Sequence, residues 1–156
     1  MSQTDSQFLG TIREPKEASH PENIYCVFSQ DPVKGHYMPS DSSEHNGSEF
    51  QSLVPLIFEY KELGFVFVSV DNDPNTNGWI DEKSLYLQGT IEGVNDFMIV
   101  TSEDKSKHKL QNDTHVALLG YDNENVVIGF VSENNNITKA LVRKNFLHIR
   151  RNKKTN

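Results

Sequence analysis

A chain of 156 residues with 35% hydrophobic side chains can bury one modest core rather than two large ones. Its single cysteine, Cys26, excludes an internal disulfide and a thiolate zinc cluster. The net charge of −7 is unevenly placed: seven basic residues from Lys139 onward meet no Asp or Glu, whereas the first 138 residues hold 8 basic and 22 acidic side chains, which disfavours duplex nucleic acid as a partner of the body.

Residues 1–49 are rich in Ser, Asp, Glu, Pro and His, the composition of a largely disordered segment, and PSDSSEHNGS within it reads as a linker. The one exception is Ile24-Tyr25-Cys26-Val27-Phe28, five strand formers between Pro21 and Pro32, expected as an edge strand packed on the chain's own domain or on another protein. From Ser52 to Gly64 the spacing of Leu53, Leu56, Ile57, Tyr60 and Leu63 predicts an amphipathic helix, with Ser52 as cap, Pro55 in the first turn and Gly64 as the stop.

The period then changes to two. Phe65–Val70 predicts a strand covered on both faces, DNDPNTNG a loop, and further strands follow at Leu85–Ile91, Phe97–Thr101, His115–Leu119 and Val126–Val131. SEDKSKHKLQND and GYDNEN read as turns, and Leu141-Val142 with Phe146–Ile149 as a final strand pair before a basic tail at 150–156. No internal repeat is evident. One helix followed by five short strands predicts a mainly β protein with one domain over 50–149, a small closed or nearly closed barrel flanked by flexible tails, because closure removes exposed edges.

No GxGxxG, GxxxxGK[ST], HExxH, GxSxG or CxxC motif is present, so no enzymatic activity and no cofactor are expected. The six histidines lack helical pairing, and Asp71, Asp73, Asp81 and Glu82 lack the order of a calcium loop, so no metal site is expected. The chain has no run of eighteen apolar residues, and MSQTDSQFLG lacks the basic start and apolar stretch of a secretory signal; a cytosolic or nuclear protein without a membrane partner is the expectation. Trp79, Tyr86, Phe97 and Tyr121 supply rings for an aromatic cage around a methylated cation, or for stacking single-stranded bases.

The stretch LQGTIEGVNDFMIV, preceded by EYKELGFVFVSV and followed by ENVVIGFV, resembles the layout of the Sm and Sm-like family over residues 52–133. Gly89 and Gly93 match the family's glycines, and Phe97-Met98 its aromatic and methionine. The resemblance implies a five-stranded Sm-like (SH3-like) barrel behind an N-terminal helix, with Gly93 bending the chain between two strands and Phe97 and Met98 filling the core. The departures are specific. The bend aspartate falls at Asn95, the base-contacting asparagine at Ile99, and the arginine and glycine of the second motif at Asp122 and Asn123, which removes the uridine pocket.

A barrel lacking that pocket resembles the Gemin-type Sm-fold proteins, in which the barrel serves assembly. The expectation is therefore a non-enzymatic subunit of a ribonucleoprotein or RNA-processing assembly. It would pair with another Sm-like protein through strand edges bearing Val116, Leu118, Val126, Ile128 and Phe130. Arg150, Arg151, Lys153 and Lys154 would add weak contacts to RNA phosphate. Two alternatives are a Tudor or SH3-like reader of methylated peptides, built on Trp79, Tyr86 and Tyr121, and direct binding of single-stranded RNA.

Overall fold

The computed structural model describes residues 23–151, whose regular structure is almost entirely β. Thirteen strands follow one another: β1 (Tyr25–Cys26), β2 (Val33–His36), β3 (His45–Phe50), β4 (Leu56–Glu62), β5 (Phe65–Val70), β6 (Asp73–Asp81), β7 (Tyr86–Ile91), β8 (Met98–Thr101), β9 (Lys107–Leu110), β10 (His115–Tyr121), β11 (Asn125–Val131), β12 (Ile137–Arg143) and β13 (Leu147–Ile149). Eleven form one antiparallel sheet in the order β12-β11-β10-β7-β1-β4-β5-β6-β2-β3, with β13 also on β7; β8 and β9 form a separate ribbon. Among the described residues the only helical elements are 3-10 turns at Glu82–Ser84 and Lys144–Phe146.

The five-stranded barrel behind an N-terminal helix is thus corrected to a large antiparallel sheet. The predicted helix over 52–64 is instead a turn, β4 and the connection to β5. Leu56 and Phe58 point inward at a spacing of two and are buried, a pattern the helical reading hid because Leu53, Leu56, Ile57, Tyr60 and Leu63 also recur at three and four. Gly64 ends no helix: Leu63 (φ 55°) and Gly64 (φ 82°) are the two left-handed residues of a tight turn joining β4 to β5, the geometry whose twist suits a two-residue hairpin. Tertiary pairing outweighed local spacing here.

Other expectations shift in the same direction. The linker PSDSSEHNGS, in the segment read as largely disordered, falls within the β2–β3 hairpin; DNDPNTNG runs into β6, and SEDKSKHKLQND contains β9. Residues 1–22 and 152–156 lie outside the described residues. The strand around Tyr25 packs on its own chain, but not as an edge, since β1 lies between β4 and β7 with Ile24, Tyr25, Cys26 and Val27 buried.

The pairing registers contradict the absence of an internal repeat. Tyr25 opposite Leu56 in β1 and β4 recurs as Gly89 opposite Val116 in β7 and β10. Phe58 opposite Val68 and Tyr60 opposite Phe67, separated by a bulge, recur sixty positions later as Leu118 opposite Ile128 and Gly120 opposite Val127, with a bulge at the same step. Phe67 opposite Trp79 recurs as Val127 opposite Leu141, and Val33 opposite Phe50 in the β2–β3 hairpin as Met98 opposite Leu110 in the β8–β9 hairpin. Both units then make a 3-10 turn, after Asp81 and after Arg143, and enter a closing strand. That strand is β7 for the first unit and β13 for the second; β7 both closes the first unit and opens the second.

Side chains of both units build one continuous core, from Tyr25, Phe50 and Leu56 to Ile128, Phe130 and Val142. The chain is interrupted between β7 and β8 as expected, with Gly93 at φ 81°, a conformation that side-chain-bearing residues rarely adopt. Gly89 serves differently: a Cβ there would lie 3.0 Å from the carbonyl oxygen of His148 in β13. Met98 packs on the core, whereas Phe97, expected inside, is exposed beneath Lys109, whose Nζ stands 4.6 Å from the ring centroid.

Candidate interaction surface

Val116, Leu118, Val126, Ile128 and Phe130, expected on a partner edge, are all buried in the core. Their strands have no free edge, because β10 lies between β7 and β11 and β11 lies between β10 and β12. Their N–H and C=O groups are committed to neighbours in the sheet, so these residues carry stability rather than recognition.

The basic tail is also reassigned. Arg150 donates from Nη1 to Oε1 of Gln88 at 2.6 Å, and its backbone N–H donates to the Gln88 carbonyl. It fastens the end of the described residues to β7, with its guanidinium engaged inside the chain. Arg151 is exposed and donates to Oδ1 of Asn23, while Lys153 and Lys154 lie outside the described residues.

The aromatic residues do not gather as a cage of Trp79, Tyr86 and Tyr121. Trp79 packs against Tyr60 and Phe67, each with ring centroids 5.5 Å away, and Tyr60 stacks on Phe67 at 5.1 Å and 7°. Rings in mutual contact leave no space for a cation between them. The face of Tyr121 is occupied from within the chain, with Lys144 Nζ 4.2 Å above it.

A cleft of about 680 Å³ opens between the β8–β9 turn, the β11–β12 turn and Phe28. Asp104 organises its floor: Oδ1 accepts from Ser102 Oγ at 2.5 Å, from Ser106 Oγ at 2.6 Å and from the Ser106 N–H at 3.0 Å. These donors, the Ser102 hydroxyl first, hold the Asp104 carboxyl well below the usual carboxylate range. Ser106 Oγ also lies 2.9 Å from Nε2 of His108, whose Nδ1 lies 3.2 Å from Oε1 of Glu133. Glu133 is likewise lowered, by its own backbone N–H and then by His108.

Serine, histidine and glutamate in this order match the spacing of a nucleophilic relay. The Asp104 carboxylate touching Ser106 argues against that use, because negative charge beside the attacking oxygen opposes the oxyanion of acyl transfer. What the network does is tie the β8–β9 turn to β9 and to the β11–β12 turn. Among the described residues no group of three or more His, Cys, Asp or Glu side chains is placed to hold a metal ion.

The outward face beside this cleft has a different character. β8 and β12 meet antiparallel at Ser102 and Ala140, and the Glu103 N–H donates to the Lys139 carbonyl at 3.3 Å. Continuing that alignment sets Thr101 beside Leu141, and these two line a shallow hollow of about 240 Å³ with Val127, Lys139 and the acidic Glu103. Alternation turns Val100, Ala140, Val142, Val126 and Ile128 into the core and leaves Ile99, Thr101, Lys139, Leu141, Arg143 and Val127 facing out. β9 adds Lys107 opposite Thr101 and Lys109 opposite Ile99. Leu141 is 54% exposed and Ile99 48%, so aliphatic side chains stand in the open between four cations.

None of these outward residues was expected in a site. The signal was present in Lys105-Ser-Lys107-His-Lys109, where lysines at a period of two describe one face of a strand, but a stretch so polar reads as a turn. No protein-family model matches this chain, and no curated protein matches it. No helix among the described residues is long and apolar enough to cross a membrane.

Proposed function

We propose that this protein is a non-enzymatic interaction module that docks an acidic protein surface on the outward face of β9, β8, β12 and β11. The observation that supports it is the alternation of exposed Ile99 and Leu141 and half-buried Val127 with Lys107, Lys109, Lys139 and Arg143 on one face, where Glu103 is an acid among four cations. Apolar area supplies affinity, whereas the cations select a partner of opposite sign and speed its arrival. Arg143 pairs only loosely with Glu124, 3.8 Å away with both side chains largely exposed, so an incoming carboxylate can compete for it. A place in a ribonucleoprotein or RNA-processing assembly, which the Sm-like resemblance implied, fits the same proposal if the face holds a protein subunit of that assembly.

The test is titration of the full chain with a fluorescent peptide alternating Glu and Val, a basic peptide of the same length and a single-stranded oligonucleotide. Saturable binding of the acidic peptide is expected, weakened about tenfold or more by Lys139→Glu with Arg143→Glu, an energy of about 1.4 kcal/mol. Equal or tighter binding of the oligonucleotide through the same residues would shift the reading to a nucleic-acid surface. Binding that ignores both substitutions would end it.

A further inference from the structure

The repeated strand plan allows the two units to be compared position by position, and their outward faces have diverged in opposite directions. Val127 and Leu141 in the second unit stand where Phe67 and Trp79 stand in the first. Arg143 and Asp81 each precede the 3-10 turn of their unit, and four residues earlier in the same register Lys139 corresponds to Asn77. Lys109 corresponds to Glu49, each one residue before the buried end of its hairpin strand, Leu110 or Phe50.

The imbalance extends beyond these pairs. Described residues 23–85 hold 3 basic and 10 acidic side chains, a net of −7, whereas residues 86–151 hold 8 of each. The first unit's face also has an apolar centre, with Tyr60 54% exposed and stacked flat on Phe67. Glu62 and Asp81 flank it, and its cations are Lys34 opposite Glu49 and Lys61 paired with Glu82 at 3.5 Å.

We infer that the acidic surface received by the basic face is the outward face of β4, β5 and β6 in a second copy of this chain. This rests on the interaction reading given above and names its partner. The aliphatic strip of Val127 and Leu141 would lie on the aromatic shelf of Tyr60, Phe67 and Trp79, with Lys139 and Arg143 meeting Glu62 and Asp81. The two faces belong to different units of the chain, so the contact is head to tail. A pair keeps one face of each kind unused, the acidic one on one copy and the basic one on the other, and association proceeds to a closed ring or an open string.

Analytical ultracentrifugation of the full chain tests this. At low salt the average mass is expected to rise with protein concentration above the 17.8 kDa of one chain, and to fall back when salt screens the charges. Two double variants, all at exposed positions, separate the faces: Lys139→Glu with Arg143→Glu retains only the aromatic face, and Tyr60→Lys with Glu62→Lys only the basic one. Each alone should sediment as a monomer; mixed, they should form a dimer that grows no further. A wild-type chain that remains monomeric at every concentration overturns the inference, as does a mixture that yields no dimer. If the wild type is monomeric yet the acidic peptide still binds through Lys139 and Arg143, the interaction reading stands and only the identity of the partner falls.

Discussion

Gln88, fully buried on β7, holds Arg150 through its side-chain oxygen and Leu53 through its side-chain nitrogen. Its backbone N–H donates to the Ile24 carbonyl, and its carbonyl accepts from Arg150, so one residue joins β7 to both ends of the described chain. Such an amide is stable inside only while its partners remain. Arg150→Met should lower unfolding stability by about 1–3 kcal/mol, measured by urea denaturation, because it orphans the buried Gln88 oxygen. A change indistinguishable from zero would mean that water replaces the guanidinium without loss.

Gly129 lies under Phe28, where a Cβ would come within 2.6 Å of the ring. Phe28 belongs to the segment that crosses from β1 to the β11–β12 turn, tied there by Gln30, which donates to the Asn135 carbonyl and accepts from the Ile137 N–H, both at 3.1 Å. Gly129→Ala should cost about 1–3 kcal/mol through overpacking. In a Phe28→Leu background the same substitution should cost clearly less, and additive effects of the two changes would refute the contact.

Leu63 is 79% exposed at φ 55°, a conformation that a γ-branched side chain enters at a cost and that asparagine tolerates. Leu63→Asn would create the Asn-Gly pair favoured in this turn without removing core contacts. Stabilisation by up to about 1 kcal/mol is expected in thermal or urea unfolding. Destabilisation would show that Leu63 covers apolar surface that matters.

His115 titrates below its ordinary value of 6.5, first because burial penalises the imidazolium and then because Arg150 repels it. Since the folded state holds the proton less tightly than the unfolded chain, the contribution of neutral His115 to stability is complete above pH 6.5 and is lost as pH falls through its lower folded value. Stability measured across this range should fall toward acid, and His115→Gln should flatten the slope. An unchanged slope in the variant would assign the acid sensitivity elsewhere.

Asp122 follows the same sign at lower pH. The N–H groups of Asn125 and Glu124 hold its carboxyl below the usual range, so the β10–β11 turn keeps its support above the ordinary aspartate range and loses it as pH falls through the lowered value. Amide exchange at Asn125 and Glu124, corrected for intrinsic rates, should accelerate only in strong acid, and Asp122→Ala should make it fast at neutral pH.

Strands with unambiguous alternation were legible in the sequence. FVFVSV, HVALL and VVIGFV are β-branched or aromatic runs bounded by turn residues, and they became β5, β10 and β11. The interruption at Gly93 was legible for a backbone reason, the left-handed conformation observed there. Leu53 to Leu63 was ambiguous, because its apolar residues satisfy both periods, and only the pairing of β4 with β5 decided between them.

By themselves, the residues determined the β class, the positions of the most apolar strands and the unequal charge of the chain, since these depend on local side-chain chemistry. Tertiary structure alone decided which strands became interior, which side chains met across the sheet and that the strand plan is made twice. The repeat lies in hydrogen-bond register, which main-chain groups define and which different side chains can occupy, as Trp79 and Leu141 or Asp81 and Arg143 do at matching positions. The basic face was hidden for the same reason: its residues are far apart along the chain and become one surface only when β8 and β12 are brought together.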